Sequence, residues 1–273
     1  MIYIRILHSD QTEQGENVLK RIVVILLGVY LLYNCGGVKP QPGWTASEYF
    51  KYAMDIFNDE DYFEAANEFT VIVLRYPGSS VADSAQFFLG ECHYNMDEYI
   101  IAAAEYEKLI NYMSNSPLVP MAQYKMAESY YELSPRPSLD QEYTEKAIRE
   151  YQAFVEENPS HELREDAEQK MLEMRSKLSE KTWKSGEIYR KMRKFRAAII
   201  YFDMVLDQYY DTEWADKAMF GKIETYLDSG DNTSARLECY KLLEQFPTST
   251  HREDVEEILK TFEETENQAA QNG

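Results

Sequence analysis

Positive charge is scarce in this sequence. Lys and Arg number 28 against 48 Asp and Glu, giving a formal net charge of −20 and a pI near 4.6. Such a chain is repelled by phosphate backbones and gains nothing by charge from an anionic lipid surface, which excludes nucleic acid as a partner class. Gly and Pro are also few, at 11 and 9. That is too little punctuation for an all-β chain that must turn every ten residues or so. Three scattered Cys exclude a disulfide framework. The four His (His8, His93, His161, His251) stand apart, without metal-ligand spacing. There is no phosphate-cradling glycine loop and no nucleophile elbow, so an enzyme is not expected. No apolar run reaches the ~20 residues of a membrane-spanning helix.

Hydrophobic residues still make up 44%, enough for a core, and Tyr is abundant at 22. The longest apolar run is Ile22 to Tyr33, preceded by Lys20 and Arg21. Its twelve residues would rise only about 18 Å as helix. A basic pair, a short apolar stretch and a polar stop have the form of a secretory signal. The stop, Leu32-Tyr33-Asn34-Cys35-Gly36-Gly37, resembles a bacterial lipobox in which Cys35 is acylated and becomes the mature N-terminus. Tyr33 and Asn34 are bulkier than the usual small residues there. Residues 1–34 are thus expected to be a signal peptide. Asp10, Glu13 and Glu16 are unusual upstream of such a run, so the true start is expected near Val18 or Leu19. Residues 35–45, rich in Gly and Pro, read as a lipidated tether. Removal of residues 1–34 takes away three basic groups (Arg5, Lys20, Arg21) and three acidic ones (Asp10, Glu13, Glu16), leaving the charge at −20.

The remainder repeats itself. An aromatic, an Ala, a residue four later and a Pro eight after that recur. The copies are Tyr62, Ala65, Phe69, Pro77; Tyr99, Ala102, Tyr106; Tyr143, Ala147, Tyr151, Pro159; Phe195, Ala198, Phe202; and Ala235, Cys239, Pro247. Ala permits close helix crossing, the residue four later shares its face, and Pro stops the helix. A small or apolar residue precedes the Ala by twelve in four copies (Ala53, Gly90, Gly186, Ile223) and by twenty in the third (Ala127). These positions resemble the tetratricopeptide repeat, a 34-residue helix–turn–helix unit. The spacing predicts an all-α solenoid of five repeats, with repeats 1–3 in residues 46–160. An eight-residue insertion around Ser134 to Ser138 falls in the third. The step from Ala147 to Ala198 carries 14 extra residues without Gly or Pro, and 14 is close to four helical turns. It predicts a lengthened helix before the fourth repeat. Repeats 4–5 and a polar capping helix would occupy 161–265, and 266–273 would be a disordered tail.

Aligned first helices show two aromatic rows. One is Phe50, Phe87, Tyr124, Trp183 and Phe220. The other is Phe57, Tyr94, Tyr131, then Arg190 and Leu227. Between them lie Met54, Glu91, Glu128, Glu187 and Glu224. In tetratricopeptide arrays these positions resemble those lining the concave groove. Phe50, Met54, Phe57, Phe87, Glu91, Tyr94, Tyr124, Glu128 and Tyr131 are therefore candidates for holding an extended, aromatic-bearing peptide. Packing between helices is the competing reading, most of all for the first row. A second candidate is a basic cluster in an acidic chain. Lys181 and Lys184 lead into Arg190, Lys191, Arg193, Lys194 and Arg196. It suits an acidic partner domain, or is merely a solvated face. Cys92 and Cys239 are expected to be buried and unreactive. Asn232-Thr233-Ser234 matches a glycosylation sequon but reads better as a turn and helix cap.

Signal, tether, five repeats, insertion and lengthened helix together resemble the BamD (ComL) family over residues 35–265. The resemblance implies a lipoprotein on the periplasmic face of the outer membrane, anchored by lipid on Cys35 and needing no other cofactor. Gly36 after that Cys, rather than Asp, is compatible with passage to the outer membrane. It implies a part in inserting β-barrel proteins. N-terminal repeats would bind targeting segments of unfolded outer-membrane proteins. C-terminal repeats would dock on a BamA-like barrel subunit beside other assembly subunits. The alternative is another envelope tetratricopeptide lipoprotein that scaffolds cell-wall enzymes.

Overall fold

The structure is a computed structural model that describes residues 43–272. The expected signal segment, Cys35 and the tether as far as Pro42 lie outside these residues. Within them are eleven α-helices and no strand. They pair as α1 (Ala46–Asn58) with α2 (Tyr62–Arg75), α3 (Ala82–Asn95) with α4 (Tyr99–Tyr112), and α5 (Val119–Glu132) with α6 (Glu142–Glu157). Then come α7 (Arg164–Lys191) with α8 (Phe195–Gln208), α9 (Ala215–Ser229) with α10 (Asn232–Gln245), and α11 (Arg252–Asn272). Each helix packs on the next, and first helices also meet across repeats at α1/α3, α5/α7 and α7/α9. This neighbour-only packing is that of a helical-repeat solenoid.

The repeat signature is a packing device. Ala65, Ala102, Ala147, Ala198 and Ala235 are fully buried, as are Phe69, Tyr106, Tyr151, Phe202 and Cys239 four residues on. The ring of the second helix sits in a notch on the first. A Cβ added at Gly90 would lie 2.5 Å from the Tyr106 ring, and one at Gly186 would lie 2.6 Å from Phe202. In the fifth repeat the sizes exchange: buried Ile223 occupies the notch and the smaller Cys239 faces it.

The turns inside repeats 1, 2, 4 and 5 each contain one left-handed residue: Glu60, Asp97, Arg193 and Gly230 (φ 62°, 60°, 56° and 82°). Only the last is Gly. In repeat 3 the inserted segment takes this place, between Glu132 and Glu142. The cost of a side chain at such a backbone is about 1–2 kcal/mol, part of which glycine's greater unfolded-state freedom returns. Glu60→Gly is therefore expected to raise stability by about 0.5–1 kcal/mol, read as a higher urea midpoint at unchanged slope. An unmoved or lower midpoint would show that Glu60 is not strained.

Helix α7 has 28 residues, twice the 14 of α8, and rises about 42 Å. Ala167, Met171 and Met174 in its first half pack with Tyr151 and Phe154 of α6. Trp183 and Tyr189 in its second half pack with Ala198 and Phe202 of α8. The lengthened helix is thus shared by both blocks. Helix α11 closes the array by burying Val255 and Leu259. It continues to Asn272 rather than ending at Thr265. The expected disordered tail contains no Gly or Pro before Gly273, so nothing in it breaks the helix. The sequon falls at a helix start, where Asp231 caps α10 by accepting from the Ser234 N–H.

Candidate functional site

The first aromatic row packs inward. Phe87 is buried against Phe88 and Tyr106, and Tyr124 against Tyr151 and Phe154. Phe50 lies half-buried against Phe69 and Phe88, Trp183 against Trp214, and Phe220 against His251. These five precede the notch residues 53, 90, 127, 186 and 223 by three, which puts them on the helix face already turned to the core. They are not free platforms. Repeat 1 follows suit with its other candidates, since Met54 and Phe57 pack on the same cluster as Ala53 and Phe69.

Tyr94 and Tyr131 also border the cores of repeats 2 and 3, but each, half-buried, lies in addition under an ammonium group. Lys125 Nζ stands 4.4 Å from the Tyr94 ring centroid. Lys170 and Lys177 stand 5.6 and 5.9 Å from that of Tyr131, whose hydroxyl donates to Glu173 at 2.9 Å. Aromatic faces attract cations in this arrangement.

The acidic row between the aromatics is paired across helices. Glu128 on α5 contacts Lys170 of α7 at 2.8 Å and Lys125 at 3.0 Å, and Lys125 reaches Glu91 of α3 at 3.5 Å. Glu91 accepts from the Tyr106 hydroxyl. Tyr124 donates to Asp166 and accepts from Lys170. Charge and ring therefore alternate from α3 to α7. Lys125, Lys170, Lys177 and Asp166 were not among the sequence candidates. Lys170 meets Glu128 from 42 residues away, a relation no local spacing reveals.

Burial pushes the Glu128 carboxyl up, but Lys170 and Lys125 outweigh it and hold the pKa below the ordinary 4.5. The unfolded chain then binds the extra proton as pH falls. The stability from this group is present above about pH 4.5 and lost as pH drops through the lower folded value. Glu128→Gln is expected to cost stability at neutral pH and progressively less below pH 4.5. Urea unfolding of both proteins across a pH series checks this; a gap independent of pH would contradict it.

Arg190 leaves the basic patch for a similar network. Its side chain is only 18% exposed and contacts Glu187 at 3.1 Å, Glu224 at 3.3 Å and Asp228 at 3.2 Å. Helix spacing decides this: Glu187 lies one turn back, and α9 faces the same side. Lys191, Arg193, Lys194 and Arg196 remain exposed at the α7–α8 turn, without an ion pair to any described residue. Lys184 pairs with Glu180 and Lys181 donates to the Leu139 carbonyl. Cys92 and Cys239 are buried, and burial raises their thiols to about 12 and about 11, out of the reactive range.

Residues 42–242 match the family YfiO, described as an outer membrane lipoprotein. The chain belongs to this family. The match runs from the tether through repeats 1–4 and into α10, the second helix of repeat 5. Among solved structures it is similar to a tetratricopeptide repeat protein from Parabacteroides merdae, at 17% identity over 79% of this chain and 73% of that one, with a TM-score of 0.35. A repeat protein from Bacteroides fragilis gives 11% over 80% and 99%, with a TM-score of 0.46. The TPR2AB domain of yeast Sti1, solved with a pHSP90 partner, gives 12% over 74% and 78%, with a TM-score of 0.39. No curated protein matches the sequence.

Proposed function

We propose that this YfiO member is the lipid-anchored, periplasm-facing subunit of the machinery that inserts β-barrel proteins into the outer membrane. Lipid on Cys35 anchors it. Repeats 2 and 3 bind aromatic-bearing segments of unfolded barrel proteins through Tyr94 and Tyr131. The turn bearing Lys191, Arg193, Lys194 and Arg196 docks on an acidic periplasmic domain of a BamA-like subunit. The observation that carries the reading is the family match across the repeat array. The exposed cations at the α7–α8 turn support the docking role, because the net charge of −20 leaves few other surfaces that an acidic domain would tolerate.

Affinity purification from mildly solubilised membranes tests this, using the native chain and the triple variant Lys191→Glu, Arg193→Glu, Lys194→Glu. An outer-membrane barrel with periplasmic domains should co-purify with the native chain. The variant should recover about tenfold less, as reversed charges slow association and oppose docking. Equal recovery would leave the patch a solvated face. Cell-wall enzymes in place of the barrel would move the function to the scaffold alternative.

A further inference from the structure

The array has two long edges, and in its first two repeats they differ in charge. One edge carries the turns inside each repeat. There Asp59, Glu60 and Asp61 follow α1, and Asp97 and Glu98 follow α3, all exposed. The other edge carries the chain's entry at Trp44 and the loops between repeats. From Tyr76 to Ala82 and from Tyr112 to Tyr124 there is no Asp, Glu, Lys, Arg or His, in a sequence that is 28% charged. The later loops on this edge are charged, with Glu162 and Arg164, Asp211 and Glu213, and Arg252 and Glu253.

The uncharged edge is also apolar where it meets solvent. Leu74 is 74% exposed and Tyr112 83%. Pro77, Gly78, Ser80, Ser114, Asn115 and Pro117 are exposed around them. Nearby charges are few. Arg75 ends α2, Asp83 accepts from Ser116, and Glu48 folds back onto Thr45. Trp44 joins this edge directly, since its carbonyl accepts from the Tyr76 hydroxyl at 3.1 Å.

We propose that this edge of repeats 1 and 2 rests on the headgroup region of the lipid bilayer. Trp, Tyr, Leu, Pro and Ser with so little charge suit the interface, where an amphipathic ring has one end in each phase. The acidic edge then points away from the membrane. The proposal rests on the reading of Cys35 as lipid-bearing. Nine residue steps separate Cys35 from Trp44, at most about 32 Å even fully extended. An anchored edge is therefore always near the surface, and a weak second contact suffices to orient the array. No helix among the described residues is long and apolar enough to cross a membrane, so this contact is peripheral.

The test uses the mature protein with its anchor, in vesicles of phosphatidylcholine and phosphatidylethanolamine with brominated acyl chains. One cysteine is introduced at a time, Asn115→Cys, Asp59→Cys or Thr248→Cys, and labelled with an environment-sensitive fluorophore. Cys92 and Cys239 are buried and do not compete. The mass of the N-terminal peptide reports acylation of Cys35. The label at 115 should lose emission to bromine and shift to the blue, while those at 59 and 248 should not. Adding Leu74→Asp and Tyr112→Asp, both at exposed sites, should abolish the effect at 115 with the helical spectrum unchanged. No quenching at 115 on an acylated chain overturns the proposal and spares the anchor. Equal quenching at all three sites, or a change at 115 only when solubilised membrane proteins are added, overturns it as well. An unmodified Cys35 removes the anchor and the proposal together.

Discussion

Phe202→Ala should lower the stability of the protein by about 3–5 kcal/mol. The ring is fully buried and touches glycine on two helices. A Cβ at Gly186 of α7 would come within 2.6 Å of it, and one at Gly221 of α9 within 2.7 Å. Glycine has no side chain to relax into the space, so the cavity stays open, and cavity volume sets the size of such losses. The ring also joins repeat 4 to repeat 5. In a solenoid whose stability is a sum over neighbours, weakening one junction splits the unfolding transition. Urea unfolding followed by circular dichroism should show an earlier transition ahead of the main one. A single transition displaced by less than ~1 kcal/mol would show that the ring is not the packing centre of this junction.

Tyr94→Ala combined with Tyr131→Ala should weaken binding of a peptide ending in an aromatic residue about 100-fold, the sum of two interfacial aromatic anchors. Both rings are only partly buried, at the margins of the repeat 2 and repeat 3 cores, so the helical spectrum should stay as it is. Phe87→Ala offers the contrast. That ring is buried between helices, and its loss should appear in stability. Fluorescence anisotropy with a labelled peptide reads the affinities. An unchanged value for the double variant would assign Tyr94 and Tyr131 to holding Lys125 and Lys170 in place.

The repeats were legible because their signature is local. Ala and the residue four positions later share a face by helix geometry alone, and a 14-residue excess preserves that face. The same geometry shows why the first aromatic row lies in the core: position 87 stands three residues from Gly90, and position 124 three from Ala127. What the sequence did not disclose lies between helices. Arg190 was grouped with Lys191 and Arg193 by neighbourhood along the chain, yet its partners Glu224 and Asp228 come from the next repeat. The cations over Tyr131 come from α7, 39 and 46 residues further on. Tyr94, Tyr131 and Glu128, which look like bare rings and acid along the chain, are once folded already engaged by lysine.

The exchange of sizes in the fifth repeat bears on how the chain avoids misfolding. Repeats of similar sequence can pair with the wrong neighbour while the chain is still assembling. Here the first helix of repeat 5 offers Ile223 where repeat 4 offers Gly186. Phe202 set against Ile223 would be overpacked, and Cys239 set against Gly186 would leave a hole. The second helices of repeats 4 and 5 thus each fit their own partner better than the other's. The mismatch acts as a key that fixes the order of these two repeats.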